Sequence, residues 1–341
     1  MLSFRYQASP SRVVFGAGTS WRELESEVDG QGKRALLITT KRAEELALQL
    51  TEPLGERLVG RFTDVQEHVP QGIADAARAA AVEARADCLL SIGGGSVVGT
   101  AKAVAVEARL PIVAVPTTYS GSEMTPTWGL TEGGRKRTAR SPDALPRVVI
   151  YDPELTITLP ASVTAASGMN ALAHCVGAAY LPHTDPITGL LAEEGVRALA
   201  GGLPRAVSAP GDMDGRGNAL YGSYLAGTVL AAVGPATHHR ICHVLGGAYG
   251  LPHASTHSVV LPYVAALLDE RLGRIASVLG ADRASDGLRA LAVRIGAPTS
   301  LASIGLRAAD LPEAVRLVAE QVELDDPAAL LQAAYEGRWD R

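Results

Sequence analysis

The stretch CLLSIGGGSVVGTAKAVA, residues 88–105, decides the fold of the first half of this chain. A short apolar run, typical of a buried strand, ends in three consecutive glycines, and Ser96 then begins an Ala- and Val-rich helical pattern. Glycine lacks a Cβ atom, so the backbone can turn sharply there and approach a ligand closely. The N–H groups and positive dipole of the helix start suit a pyrophosphate. The spacing is neither G-x-G-x-x-G nor a Walker loop, so a tight turn without a ligand is the alternative.

Similar apolar runs lie on both sides of this stretch and alternate with helical patterns. Continuous apolar strands that alternate with helices are typical of a parallel sheet covered on both faces. We therefore predict that residues 1–157 form an α/β dinucleotide-binding domain. The predicted strands are 12–18, 34–40, 88–95, 111–118 and 147–155, and the predicted helices are 41–55, 73–86 and one that begins at residue 96.

After about residue 160 the apolar runs lengthen to helical size, and short β-branched runs mostly disappear. Examples are residues 168–181, 215–233 and 309–323. This pattern of long apolar runs predicts a second, mainly α-helical domain over residues 158–341, which binds the substrate and contains the catalytic groups. Because no linker separates the domains, we expect them to meet at a cleft, where cofactor sites usually lie.

Composition and charge exclude several classes of protein. The chain has 341 residues, 47% of them hydrophobic, and a formal net charge of −5, which indicates a globular protein and not a nucleic-acid binder. Its three cysteines lie in apolar stretches without C-x-x-C spacing, as expected for buried thiols in a reducing compartment. We see no signal peptide and no apolar run of membrane-spanning length. The sequence therefore predicts a cytoplasmic protein that does not contact a membrane.

Two more strand ends support a nucleotide site, because ligands bind beyond the carboxyl ends of strands in open α/β sheets. The segment PTTYSGSEMTP, residues 116–126, gathers hydroxyl groups that can bond a ribose or a carboxamide. After the 34–40 strand, Thr40 is followed by Lys41 and Arg42, without the acid that often binds the adenosine ribose. Both NADH and NADPH are therefore expected to fit. The predicted cofactor-binding residues are Thr40, Gly93, Gly94, Gly95, Ser96, Thr117, Thr118, Ser120 and Ser122.

Histidines are concentrated in the second half, in HHRICH (238–243) and LPHASTH (251–257). Asn170 and His174 lie four residues apart, as do His239 and His243, so each pair shares one face of a helix. Imidazole is the commonest metal ligand, and it also titrates close to neutral pH. The pattern therefore fits a metal site or an acid–base site. His238 can equally be a core residue, and the role of His257 is left open.

Several motifs, in this order along the chain, resemble those of maleylacetate reductases, which belong to the iron-containing alcohol dehydrogenase superfamily. The resemblance covers residues 11–335 and implies a dehydroquinate synthase-like architecture. It rests on the segments GGGSVVGTAKA, VPTTYSGSEMTP, GLTEGGRKRT, YDPELT, GMNALAHCV, HHRICHVLGG and LPHASTH.

The resemblance implies NAD(P)H-dependent reduction of maleylacetate to 3-oxoadipate, a step in the degradation of aromatic compounds. By analogy, His243 lies nearest the nicotinamide, and His174, His239 and His253 surround the substrate. Any of the four can deliver the proton at this stage. Relatives commonly pair, so a homodimer is expected.

Maleylacetate is a dianion, so its carboxylates need cationic or N–H partners. Arg240 lies between two of the histidines and is the first candidate. The basic loop GGRKRTAR, residues 133–140, is either a second candidate or a solvated surface turn. The predicted substrate-binding residues are Arg240, Asn170 and Tyr119, with Arg135, Lys136 and Arg137 as further candidates.

The resemblance also bears on metal binding, because the metal-dependent relatives have an Asp where this chain has Asn170. A neutral amide cannot offset the charge of a divalent cation. The maleylacetate reductase branch has Asn there and is regarded as metal-free, so we expect no metal, although three imidazoles can hold Zn²⁺ in principle.

Two other functions stay open at this point. One is a metal-dependent alcohol dehydrogenase that acts on a small alcohol. The other is a family member diverted to non-redox, lyase or cyclase chemistry. Gly177 and Tyr263 depart from the family pattern, and several residues near 265–270 are missing relative to it, so the exact substrate is not determined by sequence.

Overall fold

The computed structural model describes residues 3–132 and 135–339, apart from the side chains of Arg135 and Lys136. The chain divides into two compact units, one from Ala8 to Leu159 and one from Pro160 onward, which also includes the described residues before Ala8. The division falls two residues after the boundary expected from the sequence.

The first unit is built on a parallel sheet of six strands in the order β1-β8-β5-β4-β2-β3. Every residue of β2, β4 and β5 is buried, which explains why these strands are apolar throughout instead of alternating. The strands of this unit are β1 (Arg12–Phe15), β2 (Ala35–Ile38), β3 (Leu58–Phe62), β4 (Cys88–Gly93), β5 (Ile112–Pro116), β6 (Thr127–Glu132), β7 (Arg135–Arg140) and β8 (Val148–Tyr151).

Four α-helices accompany the sheet, and the predicted α/β class is confirmed. The first helix and the strand β3 were not predicted, because their apolar positions are interrupted by charged residues and glycine. Side chains from the first two of these helices and from the strands β2, β4, β5 and β8 form a common core. The helices are α1 (Thr19–Asp29), α2 (Glu44–Thr51), α3 (Gln71–Glu83) and α4 (Gly95–Ala108).

The basic segment 133–140 was predicted to be a loop, and this was wrong. Its residues from Arg135 form β7, which pairs antiparallel with β6. Arg137 lies exposed on this hairpin and contacts Glu132 at 3.3 Å between Nη1 and Oε2. Gly133, Gly134 and the side chains of Arg135 and Lys136 lie outside the described part of the chain. Consecutive glycines between two runs of alternating residues are a hairpin signal that outweighs the charge of the segment.

The second unit is α-helical in its described residues, as predicted. Helices six and seven of the chain approach backbone to backbone, since a Cβ atom on Gly202 would lie 2.6 Å from the amide nitrogen of Ala219. The helices are α5 (Ala161–Tyr180), α6 (Pro186–Ser208), α7 (Met213–Val233), α8 (Thr237–Tyr249), α9 (His253–Ala266), α10 (Gly273–Leu279), α11 (Ala284–Arg294), α12 (Leu311–Gln321) and α13 (Pro327–Glu336).

Among the described residues, no single helix is long and apolar enough to cross a membrane. Helices α7 and α8 meet the length and composition requirement only as a pair, and that pair is bent by 95°. Many residues of both helices are buried inside their own unit, as core helices of this composition usually are.

Candidate functional site

The glycine turn lies where the carboxyl ends of the parallel strands meet. Gly93 adopts a φ of +155°, and a Cβ atom there would lie 2.6 Å from Cγ2 of Val97, so this position needs glycine. Helix α4 begins directly afterwards at Gly95 and directs its first N–H groups toward this edge of the sheet. The turn therefore has the geometry of an anion-binding helix start.

The loop after β5 packs against this turn and brings the predicted hydroxyl groups to it. The amide of Thr117 donates to the carbonyl of Gly93 at 3.1 Å. A Cβ atom on Gly94 would lie 3.0 Å from Cγ2 of Thr118, and one on Gly95 would lie 3.0 Å from Oγ of Ser120. The two loops can approach this closely only because the turn carries no side chains. The two parts of the predicted cofactor site in this unit are thus adjacent.

A buried lysine, Lys102 on α4, holds the next part of that loop. Its Nζ atom donates to the carbonyl oxygens of Ser122 at 2.6 Å, Thr125 at 2.7 Å and Thr127 at 2.9 Å. The same Nζ atom lies 3.4 Å from Oγ of Ser122. The hydroxyl of Ser122, a predicted cofactor residue, therefore contacts Lys102. Sequence reasoning missed this lysine because its position in a helical pattern gives no sign of burial.

Two further groups complete this buried network. Glu123 is fully buried, and its Oε1 atom accepts a hydrogen bond from the hydroxyl of Tyr151 at 2.8 Å. Burial lowers the pKa of Lys102 to about 7 and raises the pKa of Glu123, and the neighbouring opposite charge partly offsets each shift. Burial therefore opposes the charged form of both groups, and the fold encloses the lysine and the glutamate together beneath the loop.

Tyr119 was predicted to contact the substrate. Its ring is fully buried within the first unit, and its hydroxyl donates to Oγ1 of Thr156 at 3.3 Å. This contact gives the side chain a packing role in that unit. Its contact with a substrate stays a prediction.

The end of β2 differs from the expectation that it lacks a carboxylate. Asp64, which follows β3, forms an isolated antiparallel bridge with Thr40. Its Oδ1 atom also lies 2.6 Å from Nζ of Lys41. The acid comes from the neighbouring strand connection and not from the residues after β2, so the local sequence around Thr40 could not reveal it.

In the helical unit, three elements bring six histidines together. Helix α5 carries Asn170 and His174, which are both buried and, as predicted, lie on one face of the helix. Helix α8 carries His238, His239 and His243, and helix α9 begins at His253 and also carries His257. We call these six side chains, His174, His238, His239, His243, His253 and His257, the histidine cluster.

His239 lies at the centre of the cluster. Its ring centroid is 4.5 Å from that of His243, 5.0 Å from that of His174 and 5.3 Å from that of His253. The Nε2 atoms of His239 and His243 are hydrogen-bonded at 2.9 Å, in a direction that depends on the tautomers. The structure thus brings together all four histidines that were predicted to be catalytic.

The cluster also includes two histidines whose role the sequence left open. The ring of His257 lies 4.6 Å from that of His253 and 4.7 Å from that of His239. His238 packs against His257, and its Nδ1 atom is hydrogen-bonded to the hydroxyl of Tyr180 at 3.2 Å. The four-residue spacing of His253 and His257 was the available signal, since it places both on one helix face.

Several buried polar atoms of the cluster and of Asn170 have no hydrogen-bond partner among the described residues. A buried polar group without a partner costs about 1–3 kcal/mol, so such atoms are rare in a core and usually serve a function or bind water. The atoms are Oδ1 of Asn170, Nε2 of His238, Nδ1 of His239 and both ring nitrogens of His257.

Burial keeps the inner part of the cluster uncharged. Desolvation, with a smaller contribution from a neighbouring histidine in each case, lowers the pKa of His174 to about 4 and that of His238 to about 3. The pKa values of His239 and His257 lie well below the ordinary value for the same reasons. These rings are neutral at neutral pH, whereas His243 is exposed and His253 is half-buried.

We predict that these depressed pKa values make the protein unstable in mild acid. Below an ordinary histidine pKa of 6.5, the unfolded chain binds protons that the folded chain refuses, so stability falls as the pH falls. Each buried histidine contributes a loss of about 1.4 kcal/mol per pH unit until its folded pKa is reached. Urea unfolding midpoints measured between about pH 7.5 and pH 5 test this slope.

The matched variant for this measurement is His238→Gln, which cannot take up a proton. The free energy of unfolding of this variant is expected to fall less steeply as the pH falls. The difference in slope should be the contribution of one buried histidine, about 1.4 kcal/mol per pH unit. Equal unfolding midpoints for the wild-type chain across this pH range would contradict the prediction.

Two groups of side chains in the cluster have ligand atoms close enough together to surround a metal ion. They are His174, His238 and His239, and His239, His243 and His253, with the atoms of each group within 4.8 Å of one another. Both groups consist of imidazoles alone and include no carboxylate or thiolate. The separation of 2.9 Å between Nε2 of His239 and of His243 is a hydrogen bond, and it is shorter than the about 3.3 Å expected between two nitrogens on one tetrahedral zinc ion.

Arg240 lies exposed on α8, next in sequence to His239. A guanidinium in this position can reach an anionic ligand at the exposed side of the cluster. Its contact with substrate stays a prediction.

Family models match both units of the chain. The model described as iron-containing alcohol dehydrogenase matches residues 10–153, and the C-terminal model of the Fe-containing alcohol dehydrogenase family matches residues 164–334. Together these matches cover most of the chain and correspond to its two units.

Individual relatives agree with the family models. The chain is 47% identical to a maleylacetate reductase of Sphingobium indicum, over 89% of this chain and 88% of that protein. It is 43% identical to a maleylacetate reductase of Burkholderia cepacia, over 99% of each protein. The crystal structure of maleylacetate reductase from Agrobacterium tumefaciens superposes with a TM-score of 0.94 at 42% identity, over 99% of each chain. The chain therefore belongs to the iron-containing alcohol dehydrogenase family of oxidoreductases.

Proposed function

We propose that the protein is an NAD(P)H-dependent maleylacetate reductase that works without a metal ion. The observation that carries this proposal is the group of His239, His243 and His253, whose ring nitrogens meet without a carboxylate among them and include a direct hydrogen bond between two rings. The names of the relatives and the nucleotide-type geometry of the glycine turn support the same activity.

The reaction transfers a hydride to a carbon–carbon double bond conjugated to a ketone. The reduced nicotinamide delivers the hydride to the alkene carbon farther from the ketone, and negative charge moves onto the ketone oxygen to form an enolate. A proton then adds to the carbon next to the ketone, which gives 3-oxoadipate and the oxidised nucleotide. Catalysis therefore needs hydrogen-bond donors aimed at the oxygen and a source of one proton.

The histidine cluster contains both kinds of group. A neutral imidazole N–H is a suitable donor to a developing enolate, because it stabilises the charge without first losing its own proton. His239 is such a group, since burial keeps it neutral. His243 is exposed and bonded to His239, so it can recover a proton from water after each turnover. We assign proton delivery to His243 for this reason.

The family is named for iron, and the residues present here fit a divalent cation poorly. The nearby amide of Asn170 and the imidazoles of the cluster bring no negative charge to offset that of the ion. Two imidazoles that already share a hydrogen bond would also have to separate to bind one ion. We therefore propose that the histidines act directly on the substrate and that no step needs a metal.

One assay tests the activity and the metal proposal together. Purified protein is mixed with maleylacetate and NADH or NADPH, and the loss of nicotinamide absorbance is followed with and without EDTA, alongside elemental analysis of the same sample. Rapid oxidation that EDTA does not change, in protein with far less than one metal ion per chain, is the expected result. Activity that EDTA abolishes and Zn²⁺ or Fe²⁺ restores would favour a metal-dependent alcohol dehydrogenase. Nucleotide binding without oxidation would favour a non-redox enzyme.

Arg240 provides a prediction about the substrate's charge. Removing it in Arg240→Ala is expected to raise KM for maleylacetate by about ten- to a hundredfold, because a hydrogen bond to a charged group contributes about 1.5–3 kcal/mol. KM for a neutral conjugated enone should change by less than about threefold. Steady-state kinetics with both substrates measures the difference.

The control for this variant is Arg316→Ala. Arg316 is an exposed arginine on α12, in the same unit, and it pairs with Glu313 of that helix. This control should leave both KM values unchanged. If Arg240→Ala raises the two KM values equally, Arg240 does not bind a substrate carboxylate.

Two further proposals concern where and how the protein works. We propose that it acts in the cytoplasm, which is supported by three buried cysteines that remain free thiols.

We also propose that it forms a homodimer, which is supported by two exposed aromatic side chains, Phe15 on the edge strand β1 and Trp21 on α1. Size-exclusion chromatography with light scattering tests the dimer, and a monomer at micromolar concentration would exclude it.

A further inference from the structure

We propose that Asp64 and Lys41 together set the choice between NADH and NADPH, with Asp64 disfavouring a 2′-phosphate and Lys41 favouring it. The inference rests on the proposed nucleotide cofactor and adds the residues that distinguish its two forms. The chemical difference to be recognised is a ribose hydroxyl against a phosphate dianion.

The sheet order places these residues at the correct distance from the glycine turn. β2 lies between β4, which ends in the turn, and β3, which leads to Asp64. Adjacent strands are about 4.8 Å apart, so the ends of β2 and β3 lie roughly 5 and 10 Å from the turn. A dinucleotide with its pyrophosphate at the start of α4 can therefore extend its adenosine ribose over the ends of β2 and β3.

The two side chains meet at the end of β2. The backbone bridge between Thr40 and Asp64 holds the acid beside this strand end, and the Lys41 ammonium lies 2.6 Å from the Asp64 carboxylate. A carboxylate in this place can accept hydrogen bonds from the ribose hydroxyls, and it repels a phosphate. An ammonium in the same place attracts the phosphate.

The ion pair is exposed, with 76% of the Lys41 side chain and 63% of the Asp64 side chain accessible to solvent. Exposed ion pairs contribute little to stability, so a 2′-phosphate can draw Lys41 away from Asp64 at low cost. The pair therefore allows both nucleotides to bind, and the balance of the two charges determines which one binds better.

Of the other charged groups near this strand end, Arg42 is exposed and adds a second positive charge beside Lys41, whereas Glu44 and Arg61 are paired with each other. Glu44, on α2, lies 3.1 Å from Arg61 of β3, between Oε1 and Nε. Glu44 also acts on Lys41 from a longer range and, like Asp64, raises its pKa. Lys41 therefore keeps its charge at neutral pH whether or not Asp64 is its partner.

The test compares the binding of two nucleotide fragments that differ only by the 2′-phosphate. The probes are ADP and 2′-phospho-ADP, titrated by calorimetry into the full chain. In Asp64→Asn, the 2′-phosphorylated fragment should bind about tenfold more tightly, and the unmodified fragment should change by less than about threefold. In Lys41→Gln, the 2′-phosphorylated fragment should bind about tenfold more weakly, with the same limit on the other.

The matched control is Asp75→Asn, which removes an exposed carboxylate of the same unit that is also paired with a cation, Arg78. It should leave the ratio of the two affinities unchanged. An unchanged ratio in Asp64→Asn, or equal weakening of both fragments in Lys41→Gln, would overturn the inference.

These measurements do not use maleylacetate, so they separate this inference from the proposed reaction. A shifted ratio in a protein that fails to reduce maleylacetate would support the specificity residues and reject the substrate. Reduction of maleylacetate with an unshifted ratio would support the proposed reaction and reject Asp64 and Lys41 as specificity residues. If neither fragment binds the wild-type chain, both the nucleotide cofactor and the inference fail.

Discussion

Replacing His243 by alanine is expected to lower kcat for maleylacetate reduction by about 10²- to 10⁴-fold, the range that a general acid supplies. The variant loses the exposed group that we assign to proton delivery and the hydrogen bond at 2.9 Å to His239. The loss of this hydrogen bond is expected to cost about 1–3 kcal/mol of stability, because Nε2 of the buried His239 loses its partner, so kcat is measured well below the melting temperature of the variant. Nucleotide affinity, measured by fluorescence titration, distinguishes loss of proton delivery from loss of cofactor binding.

The control for this experiment is His183→Ala, which removes another exposed histidine of the helical unit that lies outside the histidine cluster. Its kcat should equal that of the wild-type chain. A decrease of less than about threefold in His243→Ala would exclude this residue as the proton donor. The role would then move to His253, which is the half-buried member of the same group.

Replacing Lys102 by methionine is expected to destabilise the first unit by about 3–5 kcal/mol, the usual loss when one partner is removed from a buried network of ionisable groups. The carbonyl oxygens of Ser122, Thr125 and Thr127 lose their shared donor, and Glu123 remains buried without the positive charge near it. Urea unfolding followed by far-UV circular dichroism measures the change.

The same variant should weaken nucleotide binding. Lys102 holds the segment that begins at Ser122, directly after the hydroxyl groups that pack against the glycine turn. Lys33→Met is the control, since the Lys33 side chain is 69% exposed in the same unit. A loss of stability below about 1 kcal/mol in Lys102→Met, similar to that of an exposed position, would show that the network is not needed to hold the loop.

The sequence alone was sufficient for the features that depend on local pattern. The apolar runs at 88–95 and 111–118 identified two central strands, which the structure has at Cys88–Gly93 and Ile112–Pro116, and the glycines identified the turn before α4. The four-residue spacing of Asn170 and His174 correctly placed both on one face of α5. These inferences succeeded because strand and helix periods are properties of neighbouring residues.

Other features could not be predicted because they depend on residues far apart in the chain. Asp64 reaches Thr40 through a bridge between the ends of two strands. His257 joins the cluster because α9 packs against α8 and α5. Burial of Lys102 depends on a loop about twenty residues later that folds over α4.

The sequence by itself therefore determined the class of fold, the position of the glycine turn and four of the six histidines that meet in the cluster. Tertiary structure decided which charges are enclosed, which imidazoles are forced to be neutral, and which acid lies beside Thr40. The physical reason is that the periods of helices and strands are set by residues a few positions apart. Desolvation and charge pairing depend instead on distances in space between segments that are far apart in the sequence.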